Sequence, residues 1–156
     1  MYNSNTYNGE NLEEVKKASE LVSLQLDELI SIIKQTTANK EKAYCPYSKF
    51  RVGAVLYTSD KKMVDGVNVE NISYGLSICS ERSALCSAIS LGVKKEEFYL
   101  LAVTTDREEY LTPCGACRQF IAEFPAIKHI VIINNSGNIK LTTPEELIPF
   151  VFKTEL

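Results

Sequence analysis

The chain has 156 residues, 45% of them apolar and 24% charged, with a formal net charge of −3. That is enough apolar material for one domain to bury its own core. The mild acidity, relieved only by short basic pairs such as Lys61-Lys62 and Lys94-Lys95, disfavours a surface built to track a phosphate backbone, so no nucleic-acid partner is expected.

From the N-terminus, Met1 to Glu14 is polar and lacks the basic start and apolar stretch of a secretory signal, and no later apolar run is long enough to cross a bilayer. The expectation is a cytoplasmic protein with no membrane partner, a polar leader of about ten residues, and a single domain over 1–156. Leu12, Val15, Val22, Leu26, Leu29 and Ile33 recur at helical spacing, with Leu21, Ile30 and Ile32 widening the stripe, which predicts an amphipathic helix packed on a core. Ser19 interrupts the stripe, which favours core packing over a coiled coil. Pro46 in "YCPYSKF" stops helix. "FRVGAVLYT" and "MVDGVNVEN" then read as two strands of a hairpin turning at Ser59 to Lys62. Residues 79–91 carry Leu85, Ile89 and several alanines at helical spacing, closed by Gly92. "YLLAVTT" reads as a buried strand, "CGACRQFIAEF" as a short helix between Pro113 and Pro125, "IKHIVIINN" and "IKLTT" as strands about an "SGN" turn, and "PEELIPFVF" as a last helical turn or two. Strands interleaved with helices predict an α/β domain, a three-layer α/β/α sandwich on a mixed, roughly five-stranded sheet. Its first two strands would be antiparallel and its helix-linked strands parallel.

The chemistry lies in "ICSERSALC" at 78–86 and "TPCGACRQF" at 112–120. Five cysteines are a poor disulfide framework in a reducing compartment, and a C-x-x-C there points to metal ligation or thiol redox chemistry. Cys79 falls at the start of one expected helix, Cys114 and Cys117 at the start of another, where unpaired N–H groups and the helix dipole favour thiolates. If the two helix starts face each other, the three sulfurs converge as ligands for zinc, and the fourth tetrahedral position is left for water, as in catalytic sites. Cys86 lies two helical turns, about 10 Å, beyond Cys79, too far for sulfurs that must stand about 4 Å apart on one ion; it reads as a buried small hydrophobe. Spacing does not exclude Cys45. His129 sits in a strand pattern and reads as a satisfied or edge histidine rather than a ligand. Glu81, two residues past Cys79, could take a proton from a metal-activated water and pass it to a leaving nitrogen. Arg82 could donate to the cysteine sulfurs and offset the excess negative charge of three thiolates, which would otherwise blunt the metal as a Lewis acid. Arg118 could act similarly or stand as a solvated surface arginine.

The ordered set "AYCPYSKFRVGAVL", "NVENISYGLSICSERSA", "TPCGACRQFIAEF" and "PEELIPFVF", running from Ala43 to Phe152, resembles the small homotetrameric zinc-dependent cytidine deaminases that act on free nucleosides. The two-part cysteine signature belongs to the wider deaminase superfamily, and "NVEN" with "PYSKF" points to the nucleoside branch. The resemblance implies one zinc per chain on Cys79, Cys114 and Cys117, Glu81 as general acid/base, and Arg82 as donor to cysteine sulfur. It implies hydrolytic deamination of cytidine and deoxycytidine to uridine and deoxyuridine, in pyrimidine salvage, with an activated water adding to C4 and ammonia leaving. It further implies that Phe50 packs on the base, that Asn68 and Glu70 bind the ribose 3′-hydroxyl, that the Ser80 backbone contacts the pyrimidine, and that Phe152 reaches a neighbouring subunit's site in a homotetramer. An anionic Glu70 at the ribose would repel a phosphate, so nucleosides rather than nucleotides are expected.

Arg51 departs from the proline common after the phenylalanine in that family, Ser80 from the common alanine, and the N-terminal segment is longer than in compact members. Deaminases of cytosine nucleoside analogues or antibiotics share much of the signature and form the alternative reading. From other classes, a structural zinc module would close the site with a fourth ligand, and a thiol redox protein would need only Cys114 and Cys117.

Overall fold

The computed structural model describes residues 5–153. Its centre is a six-stranded mixed sheet in the order β1-β6-β5-β4-β2-β3, formed by β1 (Thr6–Tyr7), β2 (Val52–Thr58), β3 (Met63–Val67), β4 (Phe98–Thr105), β5 (His129–Ile133) and β6 (Ile139–Thr142). The hairpin β2–β3 is antiparallel, β4 lies antiparallel to β2, and β4 and β5, joined through a helix, are parallel. The sixth strand, beyond the five expected, is β1, which pairs Thr6 with Lys140 and Tyr7 with Ile139 at the β6 edge. Two residues in a polar leader carry no strand periodicity, and only the waiting edge makes them a strand. Met1 to Ser4, the start of that leader, lie outside the described residues.

Helices cover both faces. α1 (Leu12–Leu21) and α2 (Leu26–Asn39) pack on one side, with Val15, Val22, Leu29 and Ile32 against Val55, Leu100, Val131 and Ile133. α3 (Ser80–Ser90) and α4 (Gly115–Ala122) pack on the other, with Leu85, Ala88 and Ile121 against Leu56, Leu101 and Ile130. α5 (Pro144–Leu147) follows β6. The three-layer expectation is met, because the fully buried strands alternate their apolar residues between the two cores.

The single N-terminal helix expected from the stripe is two helices. Ser23 takes a left-handed backbone, φ 54°, Leu24 N–H closes on Ser19 C=O at 2.9 Å, and Glu28 accepts the Gln25 N–H at 2.9 Å to start α2. An apolar stripe records which side is buried; a turn that keeps that side inward leaves no mark in the periodicity. None of the described helices is long and apolar enough to cross a membrane.

Two glycines set how closely the helices approach the sheet. A Cβ on Gly53 would stand 2.6 Å from Lys40 N at the end of α2, and one on Gly66 would stand 2.2 Å from Ser80 O and 2.5 Å from Ala84 N in α3. Gly66 thereby seats the first turn of α3 directly on β3.

Candidate active site

Two helix N-termini meet at one end of the sheet. Cys79 is the N-cap residue of α3 and Cys114 that of α4, both in extended backbone conformation, while Cys117 lies in the first turn of α4 and is buried. Their sulfurs all lie within 4.8 Å of one another, and Cys79 Sγ is 3.9 Å from Cys114 Sγ. Sulfurs held at about 2.3 Å by one tetrahedral ion stand about 4 Å apart, so this donor set fits zinc with a fourth position left over. Among the described residues, neither Cys45, Cys86 nor His129 joins the cluster. Cys86 is exposed rather than the buried hydrophobe expected: Ala84, Leu85 and Ala88 carry the buried side of α3, and position 86 points away from it. His129 opens β5, half-buried, with its ring edge-on to Tyr99 at 5.6 Å.

The electrostatics of the cluster suit metal binding. Hydrogen bonding from Cys117, helped by Arg82 and Cys114 and opposed by burial, brings the Cys79 thiol down to about 5. Cys117 is pushed up, first by its bond to Cys79 and then by burial. Arg82 approaches Cys79 Sγ at 3.8 Å through Nη2, and its buried Nε finds no partner among the described residues. A guanidinium held this close to the sulfurs offsets thiolate charge. Arg118 does not share that task. It donates to Pro113 O (2.7 Å), Leu147 O (2.9 Å) and Thr112 Oγ1 (2.6 Å), tying the loop before α4 to α5.

Glu81 is only 4% exposed. Burial raises its carboxyl above the ordinary value, which favours a group that both takes and returns a proton. The buried Ser80 hydroxyl donates to Glu81 Oε2 at 3.1 Å, an anchor that an alanine could not supply.

Above this floor opens a cavity of about 560 Å³, a size suited to a small ligand, lined by Cys79, Cys114, Glu81, Phe50, Asn68 and Glu70 among others. Short bridges bring those walls together: Tyr44 pairs with Val69, and Val69 with Ile78, so the segment carrying Glu70 lies beside the one entering α3. Glu70 accepts from the Tyr47 N–H (2.9 Å), the Ser48 N–H (3.2 Å) and the Ser48 hydroxyl. Led by the Ser48 bond, these hold its carboxyl below the ordinary value, hence anionic. Asn68 accepts from Val52 N–H at 2.9 Å and donates to Phe50 O at 2.8 Å, leaving one amide N–H for a ligand. Phe152 lies apart from the cavity lining, 79% exposed, with its backbone held in both directions by Gln119. Val52, Val103, Thr105, Leu111 and Thr112 also line the cavity, unsignalled by any motif; they come from strand ends and a loop whose polarity and period are those of any strand end.

Known proteins place this arrangement. Residues 27–134 match the family described as cytidine and deoxycytidylate deaminase zinc-binding region. A probable cytidine deaminase of Dictyostelium discoideum is 42% identical over 83% of this chain and 86% of its own. The cytidine deaminase of Halalkalibacterium halodurans is 42% identical over 80% of this chain and 93% of its own. The crystal structure of cytidine deaminase from Burkholderia pseudomallei superposes with a TM-score of 0.75 at 43% identity, covering 78% of this chain and 97% of that one. With three sulfurs gathered at two helix starts beside a buried glutamate, and with these likenesses over most of its length, the chain belongs to the cytidine and deoxycytidylate deaminase zinc-binding family.

Proposed function

We propose that this chain is a single-domain cytoplasmic cytidine deaminase of pyrimidine salvage, converting cytidine and deoxycytidine to uridine and deoxyuridine with release of ammonia. The observation that carries the reading is the juxtaposition of Cys79, Cys114, Cys117 and the buried Glu81 at the floor of a cavity with an anionic Glu70 on its wall.

Cys79, Cys114 and Cys117 would hold the zinc. When bound, it supplies Lewis acidity and an activated water. Glu81 moves the protons: it takes a first from the attacking water and gives it to the ring nitrogen as the C4–O bond forms, then carries the second, from the oxygen now on C4, to the amino group as the C4–N bond breaks and ammonia leaves. Burial keeps that carboxyl basic enough for both tasks, and Ser80 Oγ orients it. Arg82 steadies the thiolate of Cys79. Phe50 offers its ring to the base, the Ser80 backbone contacts the pyrimidine, Glu70 accepts the ribose 3′-hydroxyl and the remaining Asn68 amide N–H donates to it. Glu70 disfavours a phosphate there by like-charge repulsion. The exposed Phe152 reaches a neighbouring subunit's site in a homotetramer.

The test is ammonia release from cytidine, deoxycytidine, cytosine and cytidine monophosphate, with zinc measured alongside. Turnover of the two nucleosides and about one zinc per chain are expected. Turnover confined to the monophosphate would refute the role of Glu70.

A further inference from the structure

Arg107 holds its guanidinium over the Phe50 ring, 6.0 Å from the guanidinium carbon to the ring centroid. It is exposed and enters no ion pair among the described residues. Phe50 lines the cavity and Arg107 does not, so whatever Arg107 does for a bound ligand passes through the ring.

Its position is fixed from both sides. Before it, Asp106 receives Arg51 through Nε (2.9 Å) and Nη2 (3.0 Å) and also Lys40 Nζ (3.3 Å). After it, the Glu108 carboxylate accepts from Asn135 Nδ2 (3.0 Å) and Ser136 Oγ (2.6 Å). The Arg107 carbonyl itself accepts the Asn135 N–H at 2.8 Å, and its N–H donates to Thr105 Oγ1 at 3.2 Å. The Phe50 backbone is held as firmly, its N–H by Ser48 Oγ (3.0 Å) and its carbonyl by Asn68 Nδ2 (2.8 Å). The ring itself can make no such hydrogen bond, and Arg107 is the cation set against it. A cation against a ring adds an attraction that depends on orientation, and an oriented ring loses less freedom when a base packs on it.

We propose that Arg107 is a positioning residue of the nucleoside pocket: carried by the clamped 106–108 segment, its guanidinium fixes the Phe50 ring in the orientation that receives the pyrimidine. The inference rests on the proposed function. It is tested by steady-state kinetics on cytidine with the zinc-loaded wild type, Arg107→Ala, Arg107→Lys, Phe50→Leu and the double variant Phe50→Leu/Arg107→Ala, and by calorimetric binding of uridine. In Arg107→Ala, KM and the uridine dissociation constant rise about two- to five-fold, the factor an exposed cation–π contact carries, while kcat and the thermal midpoint hold. Arg107→Lys, which keeps the cation, recovers most of the loss, and Arg107→Ala on the Phe50→Leu background adds nothing. A wild-type KM in Arg107→Ala, or the same rise on the Phe50→Leu background, overturns the inference and leaves the proposed function standing. A wild type without cytidine turnover removes the function and the inference with it.

Discussion

Glu81 shows how one residue takes its meaning from its surroundings. A glutamate in the first turn of an exposed helix is a solvated group that complements the dipole; this one is nearly sealed from water, and burial shifts it toward the protonated form. Its replacement by glutamine keeps the shape and would remove the proposed proton carrier. Glu81→Gln should retain zinc, read by metal analysis, and lose at least about a hundred-fold in kcat on cytidine. Ser80 makes a subtler case at the same scale. If its hydroxyl orients Glu81, Ser80→Ala should lower kcat by about three- to ten-fold with KM little changed, the loss of one hydrogen bond felt at the reacting step. The identity of both residues was legible in "CSER", since position in a first turn follows from spacing. Their burial was not, because it depends on β3 and the cavity wall closing over that turn.

At the scale of elements, the decisive contact is that of β3 with α3. The Ser80 carbonyl and the Ala84 amide come within 2.5 Å of where a Gly66 side chain would begin, and neither is a flexible atom that could give way. Gly66→Ala should therefore push the helix bearing Cys79 and Glu81 off the sheet. A destabilisation of about 1–3 kcal/mol in denaturant unfolding and a fall in turnover larger than that of a surface variant are expected.

The ends of β2 and β4 are joined by the pairing of Arg51 and Lys40 with Asp106. Burial alone would raise the Asp106 carboxyl, but these partners hold it below its ordinary 3.8. A carboxylate lowered in the folded state adds stability above its unfolded value, and that contribution disappears as pH falls through the folded one. Unfolding free energy should thus drop more steeply from about pH 5 to pH 3 in the wild type than in Asp106→Asn. The departure at Arg51 was visible in the sequence; its partner, 55 residues away, was not.

At the scale of the molecule, five large apolar side chains stand well exposed in two stretches of the described surface: Ile72 at 79%, Tyr74 at 76% and Leu76 at 66% in one, Phe150 at 97% and Phe152 at 79% in the other. Single exposed hydrophobes need no account, but several on the segment bordering the cavity and on the tail are what the proposed subunit contacts would bury. A homotetramer would cover them. Sedimentation should give an assembly four times the 17.5 kDa chain. Phe152→Ala, losing about 1.5–3 kcal/mol of side-chain burial at each contact, should dissociate at higher protein concentration than the wild type, with specific activity falling in step. A wild type that sediments as a single chain with full activity would remove the tetramer and the role of Phe152 together.

The sequence by itself determined the chemistry and the layers. Candidate ligand residues declare themselves by type and spacing at helix starts, and apolar period decides which side of each strand and helix is buried, both being local properties of the chain. Only the tertiary structure decided that three sulfurs from two helices gather within 4.8 Å, that Ser23 breaks the N-terminal stripe into two helices, that a two-residue leader strand completes the sheet, that Asp106 pairs with Arg51, and that Arg107 lies over the Phe50 ring. Each of these depends on which distant segments the packing brings together, and no local pattern encodes a distance between residues far apart along the chain.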